Sequence, residues 1–222
     1  MVQPEILDSL PEDDPAAIAN RRDIRRLNAL MGNFRWFEHR LRERFPQGGR
    51  FLELGAGDGA LGCFLEQRLE GVRIDGLDLW RRPLNWPPAW GWIEEDLTKF
   101  EDYDRYDGIL CNLILHQFED ELLRQLGTLA GRKGGTILVA EPGRKRLPHL
   151  ATRLLFPLLS PVSRHDALVS IQAGFRLGEL PELLGIEPDR AIESYGRFGT
   201  YRMVAEWLGE GKKVAGELAG SR

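Results

Sequence analysis

Apolar positions along this chain fall into strand-like runs separated by helix-like ones. Runs of strand length lie at 51–54, 72–79, 91–94, 106–113 and 135–141, while Leu61, Phe64, Leu65 and Leu69 recur at helical spacing, as do the apolar residues of 120–130. Strands alternating with helices predict an α/β protein with a mostly parallel sheet covered on both faces. Two amphipathic helices precede the first strand. The first opens at Asp14-Pro15, carries Ile18, Ile24, Leu27, Leu30 and Met31 among Arg21, Arg22, Arg25 and Arg26, and ends at Gly32. The second spans about 33–45 with Phe34, Phe37, Leu41 and Phe45 on one stripe. Two strand-like runs, 190–195 and 200–208, close the chain as an antiparallel pair joined through Gly196-Arg197-Phe198-Gly199. The acidic, proline-bearing residues 1–14 read as a loose lead-in, and the glycine- and charge-rich residues 209–222 as a flexible tail.

The most constrained stretch is Arg50-Phe51-Leu52-Glu53-Leu54-Gly55-Ala56-Gly57-Asp58-Gly59-Ala60-Leu61-Gly62, a strand, a glycine turn and a helix start with Asp58 opening the helix. Bare amides at a helix N-terminus attract anions and polar ligands. A dinucleotide fingerprint fits the frame Gly55, Gly57 and Ala60. Glu53, however, sits inside the strand beside the turn, where its carboxylate would repel a pyrophosphate and suits a ligand that carries positive charge. The run Leu52-Glu53-Leu54-Gly55-Ala56-Gly57-Asp58-Gly59 resembles the first motif of class I S-adenosylmethionine (SAM)-dependent methyltransferases, whose ligand has an ammonium and a sulfonium and no phosphate.

That resemblance implies a Rossmann-like three-layer sandwich: a seven-stranded, mostly parallel sheet with a terminal antiparallel hairpin strand. It divides the chain into an N-terminal helical cap (1–48), a SAM-binding domain (49–208) and the tail (209–222). It also assigns SAM contacts to Glu53, Gly55, Ala56 and Gly57 in the turn. Asp78 at the end of the second strand would accept from the ribose hydroxyls, with Leu79 beside it; a strand-end aspartate that merely caps a turn is the plain alternative. Asp96 and Leu97 inherit the adenine contacts. Asn112 and Leu113 lie at the carboxyl end of the fourth strand, where open parallel sheets place ligands. In the family a Leu-His-His-Phe-like run follows; here it reads Leu115-His116-Gln117-Phe118, with Gln117 in place of the second histidine.

Several stretches carry two readings. The loop 80–92, with Trp80, Trp86, Trp90 and Trp92 among Pro83, Pro87 and Pro88, forms a wall of the ligand pocket or closes a surface over the core. Residues 142–165 carry Arg144, Lys145, Arg146, Arg153 and Arg164 with His149 and His165 and no carboxylate. They are a lid or insertion (142–175) that favours an acidic or amphiphilic acceptor, or a solvated basic face. The run from Ser163 to Leu180 resembles one in small-molecule methyltransferases of bacterial polyketide and quinone-lipid pathways. There His165 and Asp166 hold an acceptor hydroxyl, or Asp166 caps a helix that starts at it.

Bulk properties narrow the classes. The 222 residues suffice for one domain, and the mild net charge of −4 argues against a nucleic-acid partner. Cys63 and Cys111 read as core residues in a reducing, cytoplasmic setting, without a disulfide or metal. No apolar run reaches the ~18 residues of a membrane span, and 1–5 has no leader pattern.

The expected activity is transfer of a methyl group from SAM to an oxygen or carbon of a small acceptor of phenolic, polyketide or quinone-like type, by a monomer or homodimer. His116 would serve as the base, since an unperturbed imidazole titrates near pH ~6.5. The alternative is a SAM-binding subunit or regulator without catalysis. An NAD-dependent oxidoreductase is disfavoured by Glu53 and by the lack of a Tyr-Lys or Cys-His pair. Nucleic-acid amino methylation is disfavoured because no Asn/Asp-Pro-Pro-aromatic run starts at Asn112.

Overall fold

A computed structural model describes residues 5–7, 10–11, 13–145, 157 and 159–209. Seven strands, β1 (Gly49–Leu54), β2 (Val72–Asp78), β3 (Trp92–Glu94), β4 (Gly108–Asn112), β5 (Gly135–Pro142), β6 (Ala191–Tyr195) and β7 (Thr200–Trp207), form one sheet in the order β3-β2-β1-β4-β5-β7-β6. The first five are parallel, and β7 runs antiparallel to both β5 and β6. The expected Rossmann-like sheet with its terminal hairpin is therefore present. Its strand order reverses between β1 and β4, so the carboxyl ends of those two strands open a crevice.

The period-2 alternation of the strands divides the core in two. Leu52, Leu54, Ile109, Cys111, Ile137 and Val139 face one cluster with α4 (Asp120–Gly131) and α6 (Glu179–Leu183). Phe51, Leu110, Leu138 and Ala140 face the other, with α2 (Asn33–Arg44) and α3 (Ala60–Glu66). The stripe on α2 behaves as the sequence predicts: Phe37 and Leu41 are fully buried, and Phe34 and Phe45 pack at the edge of that cluster.

The first helix, α1 (Pro15–Met31), begins and ends where its caps predict. Asp14 Oδ1 accepts from the Ala16 amide at 2.7 Å, and Gly32 takes φ 71° at the C-cap. Its faces differ from the predicted stripe. Ile18 is exposed, whereas Ala17, Asn20, Asp23 and Asn28 are buried, because α1 packs over a cavity instead of on a dry core. Asp23 Oδ2 accepts from the Ser160 amide at 2.8 Å and Ser163 Oγ at 3.0 Å, which ties α1 to α5 (Pro161–Ala173).

Two boundaries correct the expectations. Helix α5 starts at Pro161 behind a Ser160 N-cap, a Ser-Pro start that precedes Asp166 by five positions, so Asp166 is no cap. Asp58 stands just before the cap of α3, which is Gly59, though Asp58 Oδ1 still accepts from the Ala60 amide at 3.2 Å. Of the proposed lid, Arg146, His149, Arg153 and most of the apolar run lie outside the described residues, as does nearly all of the proposed tail. Both cysteines are free, Cys111 buried in β4 and Cys63 half-buried. Among the described residues no helix is long and apolar enough to cross a membrane.

Candidate active site

A cavity of about 520 Å³ opens at the carboxyl ends of β1 and β4 and runs beneath α1. Its walls include every SAM-contact residue expected from the sequence: Glu53, Gly55, Ala56, Gly57, Asp78, Leu79, Asp96, Leu97, Asn112 and Leu113.

The glycine turn is shaped by φ angles that only glycine takes cheaply. Gly55 has φ 62°, and a Cβ there would come 2.5 Å from Ile114 Cγ1. Gly57 has φ 56°, but its Cβ position is open, so the backbone at Gly57 faces free cavity. Asp78 fixes the turn from the neighbouring strand: Oδ2 accepts from the Gly57 amide at 2.7 Å and Oδ1 from the Trp80 amide at 2.9 Å.

Glu53 is 3% exposed, and its Oε2 is buried without a hydrogen-bond partner. Burial, with the Asp58 and Asp78 charges added, holds its carboxyl well above the usual range. Asp58 is already paired with the Arg25 guanidinium and Asp78 with two amides, so Glu53 is the carboxyl that a cationic group placed there would relieve. Among the described residues, that orphaned oxygen, in a cavity that the open Gly57 also lines, is the observation that fits the ammonium of SAM and disfavours a pyrophosphate.

Farther along, Asp96 Oδ1 accepts from the Thr98 amide at 2.9 Å, and this bond holds its carboxyl below the usual range. At the end of β4, Asn112 Oδ1 accepts from Asn33 Nδ2 at 3.4 Å. Leu113 then takes φ 60°, a strained angle for leucine. The strain is held in place by Glu141, a fully buried carboxylate at the end of β5 whose Oε1 accepts from the Ile114 and Leu115 amides, both at 2.9 Å.

His116 occupies the next position and is 4% exposed. Its Nδ1 lies 2.6 Å from Glu141 Oε2 and its Nε2 3.3 Å from Glu5 Oε1. Burial alone would lower its pKa, but the Glu141 charge and hydrogen bond, with those of Glu5, outweigh it and push it up to about 9. With both nitrogens donating to carboxylates, the ring is a cation and has no lone pair for a proton, which does not suit the base expected from an unperturbed imidazole.

The second expected pair separates. Asp166 lines the cavity, yet its two oxygens already take the amides of Ile6 (2.8 Å) and Leu7 (3.2 Å), Asn20 Nδ2 (3.1 Å) and His165 Nδ1 (3.1 Å). A carboxylate offers about four acceptor sites, so little is left for an acceptor hydroxyl. His165 is half-exposed and is not among the cavity-lining residues. The tryptophan loop divides likewise: Trp86 and Trp90 are buried edge-to-face in the core, and Trp80 reaches the cavity, with the Arg21 guanidinium 4.8 Å over its ring.

Sequence reasoning missed Glu5, Glu141, Ser170 and the asparagines of α1. Glu141 carried the signal that exposed Glu53, a carboxylate inside a buried strand. Glu5 carried none, and the reading of its segment as a loose lead-in is corrected by its place in the cavity.

No protein-family model and no curated protein matches the sequence. Solved structures do. The plantazolicin methyltransferase BpumL in complex with SAH superposes with a TM-score of 0.64 at 15% identity, covering 88% of this chain and 92% of that one. The plantazolicin methyltransferase BamL gives 0.62 at 14% identity over 87% and 75% of the two chains. The Burkholderia thailandensis 1,6-didemethyltoxoflavin-N1-methyltransferase gives 0.51 at 18% identity over 84% and 81%. Sheet order, terminal hairpin and these superpositions agree, and the chain has the fold of the class I SAM-dependent methyltransferases.

Proposed function

We propose that this protein is a SAM-dependent methyltransferase acting on an oxygen or carbon of a small-molecule acceptor. The carrying observation is Glu53, a buried carboxyl that lines the cavity and whose Oε2 has no hydrogen-bond partner. A buried polar atom without a partner is costly, and a ligand ammonium is the group that would satisfy it. Bound SAM supplies an electrophilic methyl group on a positively charged sulfur.

Each wall residue then has a task. Glu53 holds the ammonium, and the backbone of Gly55, Ala56 and Gly57 approaches the ligand closely. Asp78, held by two amides, presents its oxygens to the ribose hydroxyls, and Leu79 lines the same side. Asp96 and Leu97 take the adenine edge and face. Asn112 and the strained Leu113 border the reacting end. Ile24, Leu27 and Met31 of α1 cover the acceptor half with apolar surface and exclude water. Orientation of this kind can lower a barrier by roughly 7 to 11 kcal/mol, which leaves little for acid–base chemistry to supply. His116, held as a cation, attracts and orients the acceptor and takes no proton from it. Two free cysteines fit a reducing compartment such as the cytoplasm.

Parallel calorimetric titrations with SAM, SAH and NAD test the reading. Binding of SAM and SAH without NAD is the expected result. Binding of NAD alone would return the turn from Gly55 to Ala60 to the dinucleotide class.

A further inference from the structure

Glu5 reaches the cavity from the far N-terminal end of the chain and meets three side chains that belong to other elements. His116 Nε2 lies 3.3 Å from Oε1, Gln117 Nε2 donates to Oε2 at 3.3 Å, and Ser170 Oγ of α5 donates to Oε1. All four residues line the cavity that also holds Gly57 and Asp78.

We infer that this set of donors is the seat of an anionic acceptor, and that the Glu5 carboxylate occupies it as an internal surrogate which a carboxylate or phenolate oxygen of the substrate displaces. The inference rests on the methyltransferase reading and names the substrate class for it. Charge and geometry support it together. His116 is already matched by Glu141, which holds it at 2.6 Å and takes two backbone amides besides. Glu5 is the second carboxylate on a single cation and sits at the longer distance. Removing the Glu5 side chain leaves the Glu141–His116 pair neutral and complete, with an imidazolium N–H and an amide NH₂ freed toward the cavity and the Ser170 hydroxyl, 2.8 Å from the Asp166 carbonyl oxygen, able to turn to a new acceptor. An acceptor carboxylate restores the charge and the hydrogen bonds that Glu5 supplied. The two residues that follow need not leave: Asp166 holds the Ile6 and Leu7 amides, so a side-chain rotation of Glu5 is enough to open the seat.

The test uses SAH-saturated protein and the probes benzoate and benzamide, which share a shape and differ in charge. By removing an internal competitor, Glu5→Ala is expected to tighten benzoate binding by about 10-fold or more, while benzamide changes less than about twofold. Glu5→Gln, nearly isosteric and neutral, is expected to show a smaller gain with the same preference. Adding Ser170→Ala to Glu5→Ala should remove much of the benzoate gain. No gain for benzoate in either Glu5 variant, or equal gains for both probes, overturns the inference. SAH binding by the unmodified protein is measured separately. Its absence counts against the methyltransferase reading alone, and the benzoate comparison, repeated without SAH, still decides whether the seat binds anions.

Discussion

His116 Nδ1 and Glu141 Oε2 lie 2.6 Å apart with both side chains buried, at the point where β4 gives way to its turn. Through this contact one carboxylate on β5 fixes the strained backbone at Leu113, the two amides after it and the charge of the ring. A base would need the opposite environment. The pair is therefore fixed and neutral overall, and it turns the imidazolium Nε2–H toward Glu5 in the cavity lining.

Stability should follow the protonation of this ring. A histidine whose folded pKa is about 9 against ~6.5 unfolded contributes stability that is complete below pH ~6.5 and lost as pH rises through about 9. The loss is on the order of 3 kcal/mol. Urea titrations at pH 6, 7.5 and 9 should show it in the unmodified protein and not in His116→Gln. Glu141→Gln, which keeps an acceptor for the two amides, should cost about 2 kcal/mol, because the ring sheds its proton instead of remaining an unpaired buried charge.

Glu53 sets stability against binding. Its carboxyl is held well above the usual range, so between the unfolded and folded pKa the ligand-free fold loses stability as pH rises. Glu53→Gln removes that burden and should raise the ligand-free melting temperature by about 2 to 4 °C, the shift that ~1 kcal/mol gives at this size. The same substitution should weaken SAM by roughly 10- to 100-fold, since it removes a charged partner. Calorimetry on one preparation reads both; a variant with unchanged SAM affinity would take the ammonium contact away from Glu53.

Asp78 holds the turn, and under the proposed function it holds the ribose as well. Asp78→Ala should weaken SAM by roughly 1.5 to 3 kcal/mol and also release the Gly57 and Trp80 amides. Asp78→Asn keeps one carbonyl acceptor and should fall between. Equal SAM affinity in all three proteins would mean that Asp78 serves the turn only.

At Gly57 the backbone angle and the empty space give separable effects. Alanine must adopt φ 56° at a cost of about 1 kcal/mol, while its methyl group meets no protein atom and projects into open space at the turn. Gly57→Ala should therefore lose more SAM affinity than stability, a difference visible by comparing titration with thermal melting.

Asp166 and His165 should part company in turnover assays once an acceptor is known. His165→Ala, outside the cavity lining, should leave kcat and KM within about twofold of the unmodified enzyme, as expected for a surface substitution. Asp166→Ala frees the Ile6 and Leu7 amides and Asn20, so it should raise KM for the acceptor more than it lowers kcat.

What the sequence determined is local or periodic. Alternating apolar runs defined the strands and the two faces of the sheet, caps such as Asp14 and Gly32 set the ends of α1, and Glu53 with the glycine turn pointed to a cationic ligand. These features depend on residues close together in the chain, and burial acts on them in a way that residue type alone reveals. What only the tertiary structure decided depends on partners distant in sequence. The His116 ring is a cation because Glu141 and Glu5 converge on it from 25 and 111 positions away. Asp166 is an anchor because the Ile6 and Leu7 amides return to it from about 160 positions away, and α1 buries asparagines because a cavity lies beneath. A protonation state or a saturated carboxylate is a sum over neighbours in space, and no periodicity records which neighbours those are.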